Sequence, residues 1–364
     1  YESFLETCMT SKSVGIIGGG AGGTGLAQAI ARGGHSVQIW AIEEEVCNSI
    51  NNEHENKLFL PGFKLSESIT CSNDIIEVAT DKEFLIIATP SIFLASTIKK
   101  IVNVPNIVDG STVIASLTKG FVPSENGPKL VLETMEDVLP EIYKDCTVYV
   151  AGPSHAEEVA MGKVTGLVAA SLNPKNSIKV RELLKVPGLM VYSSFDIIGV
   201  QICAAAKNVI AVVYGAMDAI SETSSLIGDN CESLLMAAGL NEIQTLGFAM
   251  GATHAETFTS ISGVGDLDVT CKSKYGRNRR FGQDIIKTDM LSKFKNIDEI
   301  GDYLMVKYQG LKHETFGVLC LDAAGKLKKF EFLNEGNAAT VGVSFREIAS
   351  VVFKHNAPCV VIVH

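Results

Sequence analysis

Val14-Gly15-Ile16-Ile17-Gly18-Gly19-Gly20-Ala21-Gly22-Gly23 passes from a short apolar run into a cluster with five glycines in six positions. A short apolar run bounded by glycines reads as a buried strand. A helical stretch follows near Thr24–Arg32, and Ser36–Trp40 reads as a second strand. Strand, glycine turn, helix and strand together predict the opening βαβ of a nucleotide-binding fold. Gly18, Gly20 and Gly23 fall in the spacing G-x-G-x-x-G. In that context the first glycine allows the tight turn, the second lets the backbone approach a pyrophosphate, and the third lets the helix pack on the strand. The alternative is a structural glycine turn without a ligand. An acid that binds a ribose 2′-hydroxyl belongs at the end of the second strand. Here Trp40-Ala41-Ile42 intervene before Glu43, Glu44 and Glu45, which also suit a solvated helix start. The choice between NAD and NADP is therefore left open, with NAD taken as the cofactor and NADP not excluded.

Further apolar runs at Phe84–Ala88, Thr112–Leu117, Thr147–Ala151 and Gly166–Ala170 alternate with helical stretches. This alternation predicts an α/β fold, a Rossmann-type doubly wound parallel sheet. From about Asp196 to Lys274 long helical patterns dominate, which predicts a mainly α substrate domain. After about Lys287 the pattern changes again. Phe316–Leu321, Phe330–Leu333 and Cys359–Val363 read as strands and Phe345–Lys354 as a helix, a small α+β tail. The expected domains are 13–193, 194–290 and 297–364.

The 364 residues carry a formal net charge of −10 and are 46% hydrophobic. A globally acidic chain is a poor partner for nucleic acid, although local basic patches can bind small phosphates. Nine scattered cysteines contain no C-x-x-C pair, which suggests reduced thiols and a cytoplasmic location. No signal peptide is apparent at Tyr1-Glu2-Ser3. The most membrane-like stretch, Gly199–Ile220, is interrupted by Gln201, Lys207, Asn208 and Asp218, so a buried helix is expected rather than a span.

Several polar residues stand where they need a reason. Lys207 interrupts the small, apolar run Cys203–Val213. Desolvation there would lower its pKa toward the range useful for proton transfer; the plain alternative is a lysine snorkelling to the surface. Lys119 follows a buried strand at the C-terminal edge of the sheet, where such folds bind ligands. Asp266, in Gly263-Val264-Gly265-Asp266-Leu267, is a turn former or helix cap on its own terms. Arg277-Asn278 offers a guanidinium fork and an amide suited to a phosphate dianion. The run Arg277, Arg279, Arg280 equally suits a solvated basic face.

Taken in order, the glycine loop, Asn56-Lys57-Leu58-Phe59-Leu60-Pro61-Gly62, Pro90-Ser91, Thr118-Lys119-Gly120, Ala151-Gly152-Pro153-Ser154, Lys207-Asn208, Gly263–Leu267 with Thr270-Cys271, and Gly276-Arg277-Asn278 resemble the NAD-dependent glycerol-3-phosphate dehydrogenase family. The resemblance covers about residues 13–285. It implies reversible hydride transfer between NAD(P)H and dihydroxyacetone phosphate. It also implies that Lys207, Lys119 and Asp266 are catalytic, with Asp266 orienting a lysine. Lys119, Asn208, Thr270, Arg277 and Asn278 would bind the phosphate substrate. Gly18, Gly20, Gly23, Pro90, Phe93, Lys119 and Arg277 would contact the cofactor. No metal is implied, and a homodimer is compatible. Gly22 and His155 stand where the family usually has aromatics, and Ala238 where it usually has arginine.

The tail resembles the RadC-type JAB (MPN) family through Leu311-Lys312-His313-Glu314-Thr315-Phe316, Leu319-Cys320-Leu321-Asp322, Phe345-Arg346-Glu347-Ile348 and His355-Asn356-Ala357-Pro358. Glu314 and His364 would match that family's acid/base glutamate and first zinc histidine. One matched ligand does not hold zinc, so a truncated metallo-domain is expected. Two readings compete with the dehydrogenase: an impaired NAD-binding protein or scaffold carrying this truncated domain, and a JAB protein associated with DNA repair.

Overall fold

The computed structural model describes residues 10–364 other than 126, 223, 225–226, 274–275, 291–296, 310, 312–314, 323–324, 336–344, 356 and 364. Its backbone divides into two compact units. One comprises the chain up to Ala211 together with Asn230–Gly276; the other comprises Val212–Asp229 and Arg277–His364.

The first unit is built on eight strands: β1 (Ser13–Ile17), β2 (Ser36–Trp40), β3 (Ile69–Ser72), β4 (Phe84–Ile87), β5 (Val113–Ser116), β6 (Val148–Ala151), β7 (Thr165–Ala170) and β8 (Leu189–Ser194). Their order is β3-β2-β1-β4-β5-β6-β7-β8. The first six are parallel in the 3-2-1-4-5-6 arrangement of a dinucleotide-binding sheet. Alternate residues feed two cores. Val14, Ile16, Val37, Ile39 and Ile86 pack on one face, and Ile17, Leu85, Ile87 and Ile114 on the other. Burial on both faces is why these strands read as continuous apolar runs.

The structure departs from an all-parallel sheet at one edge. β7 runs antiparallel to β6, and β8 is parallel to β7. The 152–164 connection contains only a short helix, Ala156–Met161. An antiparallel partner can start at the edge where β6 ends, so no full crossover is needed. β6 and β7 are both buried, and periodicity carries no information about direction.

After β8 come the helices Ile197–Ser221 and Asp229–Ala249. Ile197–Ser221 is long and apolar enough to cross a membrane by length and composition, yet 61% of its most apolar window is buried within the protein. Its first turns pack on the sheet through Val200 and Ala204. Asp196 precedes it and accepts hydrogen bonds from the Gly199 and Thr253 amides and the Thr257 hydroxyl, which ties this helix to the segment after Asp229–Ala249.

In the second unit, β9 (Thr315–Leu321) is the centre of a three-stranded antiparallel sheet between β10 (Leu327–Glu335) and β11 (Cys359–Val363). The alternation of β9 decides its packing. Leu319 and Leu321 face Tyr303 of the helix Ile297–Tyr308. Val318 and Cys320 face Val351 of the helix Phe345–Lys354. Helix Ile297–Tyr308 was not among the expected tail elements.

Candidate active site

The glycine loop fits a dinucleotide at each of its three key positions. Gly18 has φ +133°, and a Cβ there would lie 2.8 Å from the Ala88 carbonyl. A Cβ on Gly23 would lie 2.1 Å from the Gly18 oxygen, so α1 (Ala21–Arg32) cannot approach the turn with any larger residue. At Gly20 a Cβ would meet nothing within 4 Å, which leaves open space against the backbone. Gly20 caps α1 without a side chain, and the first turn holds no acid. The orphan amides of that turn are thus offered to an anion. Beside Gly22 the nearest atom to a Cβ would be Leu117 Cδ2 at 3.8 Å, so its aromatic counterpart has room that this chain leaves unfilled.

Pro90 and Phe93 lie just beyond β4, at the same C-terminal edge of the sheet, and both are exposed. Glu43 is the N-cap of α2 (Glu44–Glu53), with Glu44 and Glu45 in its first turn. That placement complements the helix dipole.

Four of the residues singled out from sequence converge in the first unit. Lys207 is 4% exposed and Asp266 1% exposed. The Lys207 ammonium donates to Asp266 Oδ1 and, at 2.9 Å, to Thr270 Oγ1. Thr270 uses its own proton on the Asp266 carbonyl at 2.6 Å, so its hydroxyl meets Lys207 as an acceptor. Lys119 Nζ lies 3.0 and 3.2 Å from the two Asp266 oxygens and 3.0 Å from the Gly152 carbonyl oxygen. The Lys119 side chain is 23% exposed. One buried carboxylate therefore joins two lysines, one enclosed and one reaching solvent.

Local structure accounts for this convergence. Lys119 follows β5 and Gly152 follows β6, both at the C-terminal edge. Asp266 opens the helix Asp266–Lys272 after a π-helical turn, Ile261–Gly265. The Gly265 amide reaches back to the Ser260 carbonyl at 3.2 Å. A Cβ on Gly263 would lie 2.0 Å from the Phe258 oxygen, so glycine is required for the turn that delivers Asp266. Thr270, one turn later, shares its face.

Burial pushes the pKa of Lys207 down, the Lys119 charge adds to this, and Asp266 opposes both; the outcome is about 7. The site can thus hold or release a proton near neutrality.

Asn208, next to Lys207, is half-buried. Arg277 and Asn278 open the helix Arg277–Met290 of the second unit, Arg277 exposed and Asn278 half-buried. Arg279 does structural work within that unit: it pairs with Asp218 and lies over the Tyr214 ring at 5.9 Å. The arginine run is therefore divided rather than a uniform basic face. His155 Nε2 lies 3.3 Å from the Val269 carbonyl oxygen, and Ala238 is exposed on Asp229–Ala249. Sequence reasoning gave no role to the Gly152 carbonyl, although its motif was visible; a backbone acceptor leaves no side-chain signal. Glu314 and His364 lie outside the described residues.

Comparisons with known proteins agree with this geometry. Residues 13–177 match the family profile described as NAD-dependent glycerol-3-phosphate dehydrogenase N-terminus, and 196–314 the corresponding C-terminus. Residues 294–364 match a RadC-like JAB domain, overlapping the end of the second match. A glycerol-3-phosphate dehydrogenase [NAD(P)+] of Treponema denticola is 54% identical over 293 residues, which is 79% of this chain and 82% of that protein. Its counterpart in Bacillus velezensis is 35% identical over 301 residues, covering 83% and 82%. The crystal structure of glycerol-3-phosphate dehydrogenase from Coxiella burnetii superposes with a TM-score of 0.68 at 27% identity, covering 82% of this chain and 90% of that one. On the glycine loop, the shared sheet and these matches, the chain belongs to the NAD-dependent glycerol-3-phosphate dehydrogenase family, with a RadC-like JAB segment at its C-terminal end.

Proposed function

We infer that the protein reversibly reduces dihydroxyacetone phosphate to sn-glycerol 3-phosphate with NAD(P)H. The observation that carries this reading is the buried Lys207 held on Asp266 and Thr270 beside Lys119. Reduction of a ketone needs a hydride donor, a proton donor at the carbonyl oxygen and a hold on the rest of the substrate. The nicotinamide cofactor supplies the hydride when bound.

Lys207 protonates the oxygen as it gains negative charge, and in the reverse direction its neutral amine accepts that proton. Asp266 orients Lys207, and Thr270 fixes the ammonium from a second side. Lys119 polarises the carbonyl and, as a positive neighbour, helps keep the Lys207 proton transferable. Arg277 and Asn278 bind the substrate phosphate, with Asn208 at the reacting end; Arg277 also meets the cofactor. Gly18, Gly20, Gly23, Pro90 and Phe93 line the cofactor's path.

We assign cofactor binding to 13–193, substrate handling to 194–290, and to 297–364 a partial JAB-like unit without a metal. A cytoplasmic location fits nine scattered cysteines that contain no C-x-x-C pair. A homodimer is compatible with this reading.

The test is NADH consumption by the purified chain with dihydroxyacetone phosphate, beside a parallel reaction without it. Turnover dependent on the ketone is expected. NADH binding without turnover would instead identify the chain as the non-catalytic binding protein.

A further inference from the structure

Asn56 lies between the end of α2 and β3 and is fully buried, at 0% exposure. Its side chain makes three hydrogen bonds, to the glycine loop, to α1 and to the turn that follows Asn56. Nδ2 donates to the Gly19 carbonyl at 2.7 Å and to Thr24 Oγ1 at 2.8 Å. Oδ1 accepts from the Phe59 amide at 3.0 Å. The Asn56 backbone closes the same turn by accepting from the Leu60 amide at 2.9 Å. Because a carbonyl faces Nδ2 and an N–H faces Oδ1, the orientation of the amide is fixed by its partners. Thr24 adds a second donor to the Gly19 carbonyl, at 3.3 Å.

We propose that Asn56 is a positioning residue for the cofactor pyrophosphate, acting through the Gly19–Gly20 peptide. A trans peptide points its C=O and N–H in opposite directions. With the Gly19 oxygen drawn inward by Asn56 and Thr24, the Gly20 N–H is turned outward. Gly20 also has no side chain to screen that N–H, and a Cβ there would point into space with nothing within 4 Å. Without that anchor, a peptide flanked by glycines is free to turn. Its carbonyl dipole would then oppose an anion instead of its N–H attracting one. Asn56 thus sets the sign of the local field at the α1 N-terminus without touching the ligand.

The inference rests on the nicotinamide-cofactor reading, and its test separates the two. Asn56→Asp keeps the shape and the bond to Phe59 but replaces the two donors with a carboxylate facing the Gly19 oxygen. Fluorescence titration should show the Kd for NADH rising by about tenfold or more, the scale of a lost hydrogen bond plus a misplaced dipole. At saturating NADH, kcat and the KM for dihydroxyacetone phosphate should stay within about twofold, since only cofactor binding is affected. An unchanged Kd, or a parallel change in both KM values and kcat, would overturn the proposal in favour of a purely structural asparagine. If Asn56→Asp does not fold, Thr24→Val decides. It removes the second donor while keeping the side chain's shape, so a smaller rise in Kd supports the proposal and an unchanged Kd overturns it. Failure of the unaltered chain to bind NADH would remove the cofactor reading itself, and this inference with it.

Discussion

Lys207 places a proton where water is scarce. Its ammonium is enclosed, yet it has a carboxylate and a hydroxyl as partners, so the charge is tolerated without being locked. Burial lowers the Lys207 pKa, the Lys119 charge on the same carboxylate lowers it further, and Asp266 works against both. Lys207→Met should therefore lower kcat by about 10²–10⁴, the usual contribution of a general acid, while NADH titration shows retained cofactor affinity. A near-normal kcat would reject the role. The sign of the pH dependence follows from the direction of the shift. Reduction needs the ammonium, so its kcat/KM should fall as pH rises through about 7. Oxidation needs the free amine and should rise through the same pH. Lys119→Met removes a charge that lowers the Lys207 pKa, so both limbs should move to higher pH in kcat/KM profiles. A limb that stays in place, or moves down, would mean that Lys119 does not act on Lys207.

At the scale of elements, the dinucleotide loop separates two uses of glycine. Gly23 is needed for packing, because its Cβ would collide with the Gly18 oxygen; Gly20 is needed for access, because its Cβ would meet nothing in the protein itself. Gly20→Val should leave the thermal midpoint within a few degrees yet abolish measurable NADH binding in calorimetry. Gly23→Ala should lower both the midpoint and the affinity, with a loss of stability of about 1–3 kcal/mol, typical of a strained backbone contact. The reverse pattern would reassign the two positions. The loop was legible because spacing, preceding strand and following helix all pointed to one mechanism. The edges of the sheet were not. β3 and β8 are edge strands with exposed alternate positions, so they lack the continuous apolar signal of the central strands. The reversal at β7 left no trace, because buried strands look alike in either direction. Lys207 stood out as a charge in an apolar helix. Its bond to Asp266 spans 59 residues, and only the resemblance to a family linked the two. Asn56 belonged to a quoted motif, but an asparagine before a turn has a local explanation, and nothing in the sequence reveals a contact 37 residues away with the Gly19 carbonyl.

At the scale of the whole molecule, each compact unit carries a core of its own. The dehydrogenase matches end at residue 314 and the JAB match begins at 294, so the helix Ile297–Tyr308 falls in both. Its packing is with the tail strands: Tyr303, 2% exposed, clusters with Leu319 and Leu321 and stands edge-on to Phe330 at 6.0 Å. Tyr308 meets Phe330 and Phe332 in the same manner and donates to the Val363 carbonyl at 3.3 Å. The second face of β9 is covered by the helix Phe345–Lys354. A three-stranded sheet with a helix on each face can bury its central strand completely, and Val318, Leu319 and Cys320 are all at 0% exposure. The stability of this segment should therefore depend on β9. Leu319→Ala opens a cavity among Tyr303, Leu321 and Phe330, at a cost of about 2–5 kcal/mol. Denaturant unfolding followed by limited proteolysis should show the tail becoming cleavable at lower denaturant, while the Kd for NADH stays unchanged, because the cofactor loop belongs to the other core. A matching loss of NADH affinity would show that the tail's folding is coupled to the nucleotide-binding sheet. An undisturbed tail would show that β9 does not carry its core.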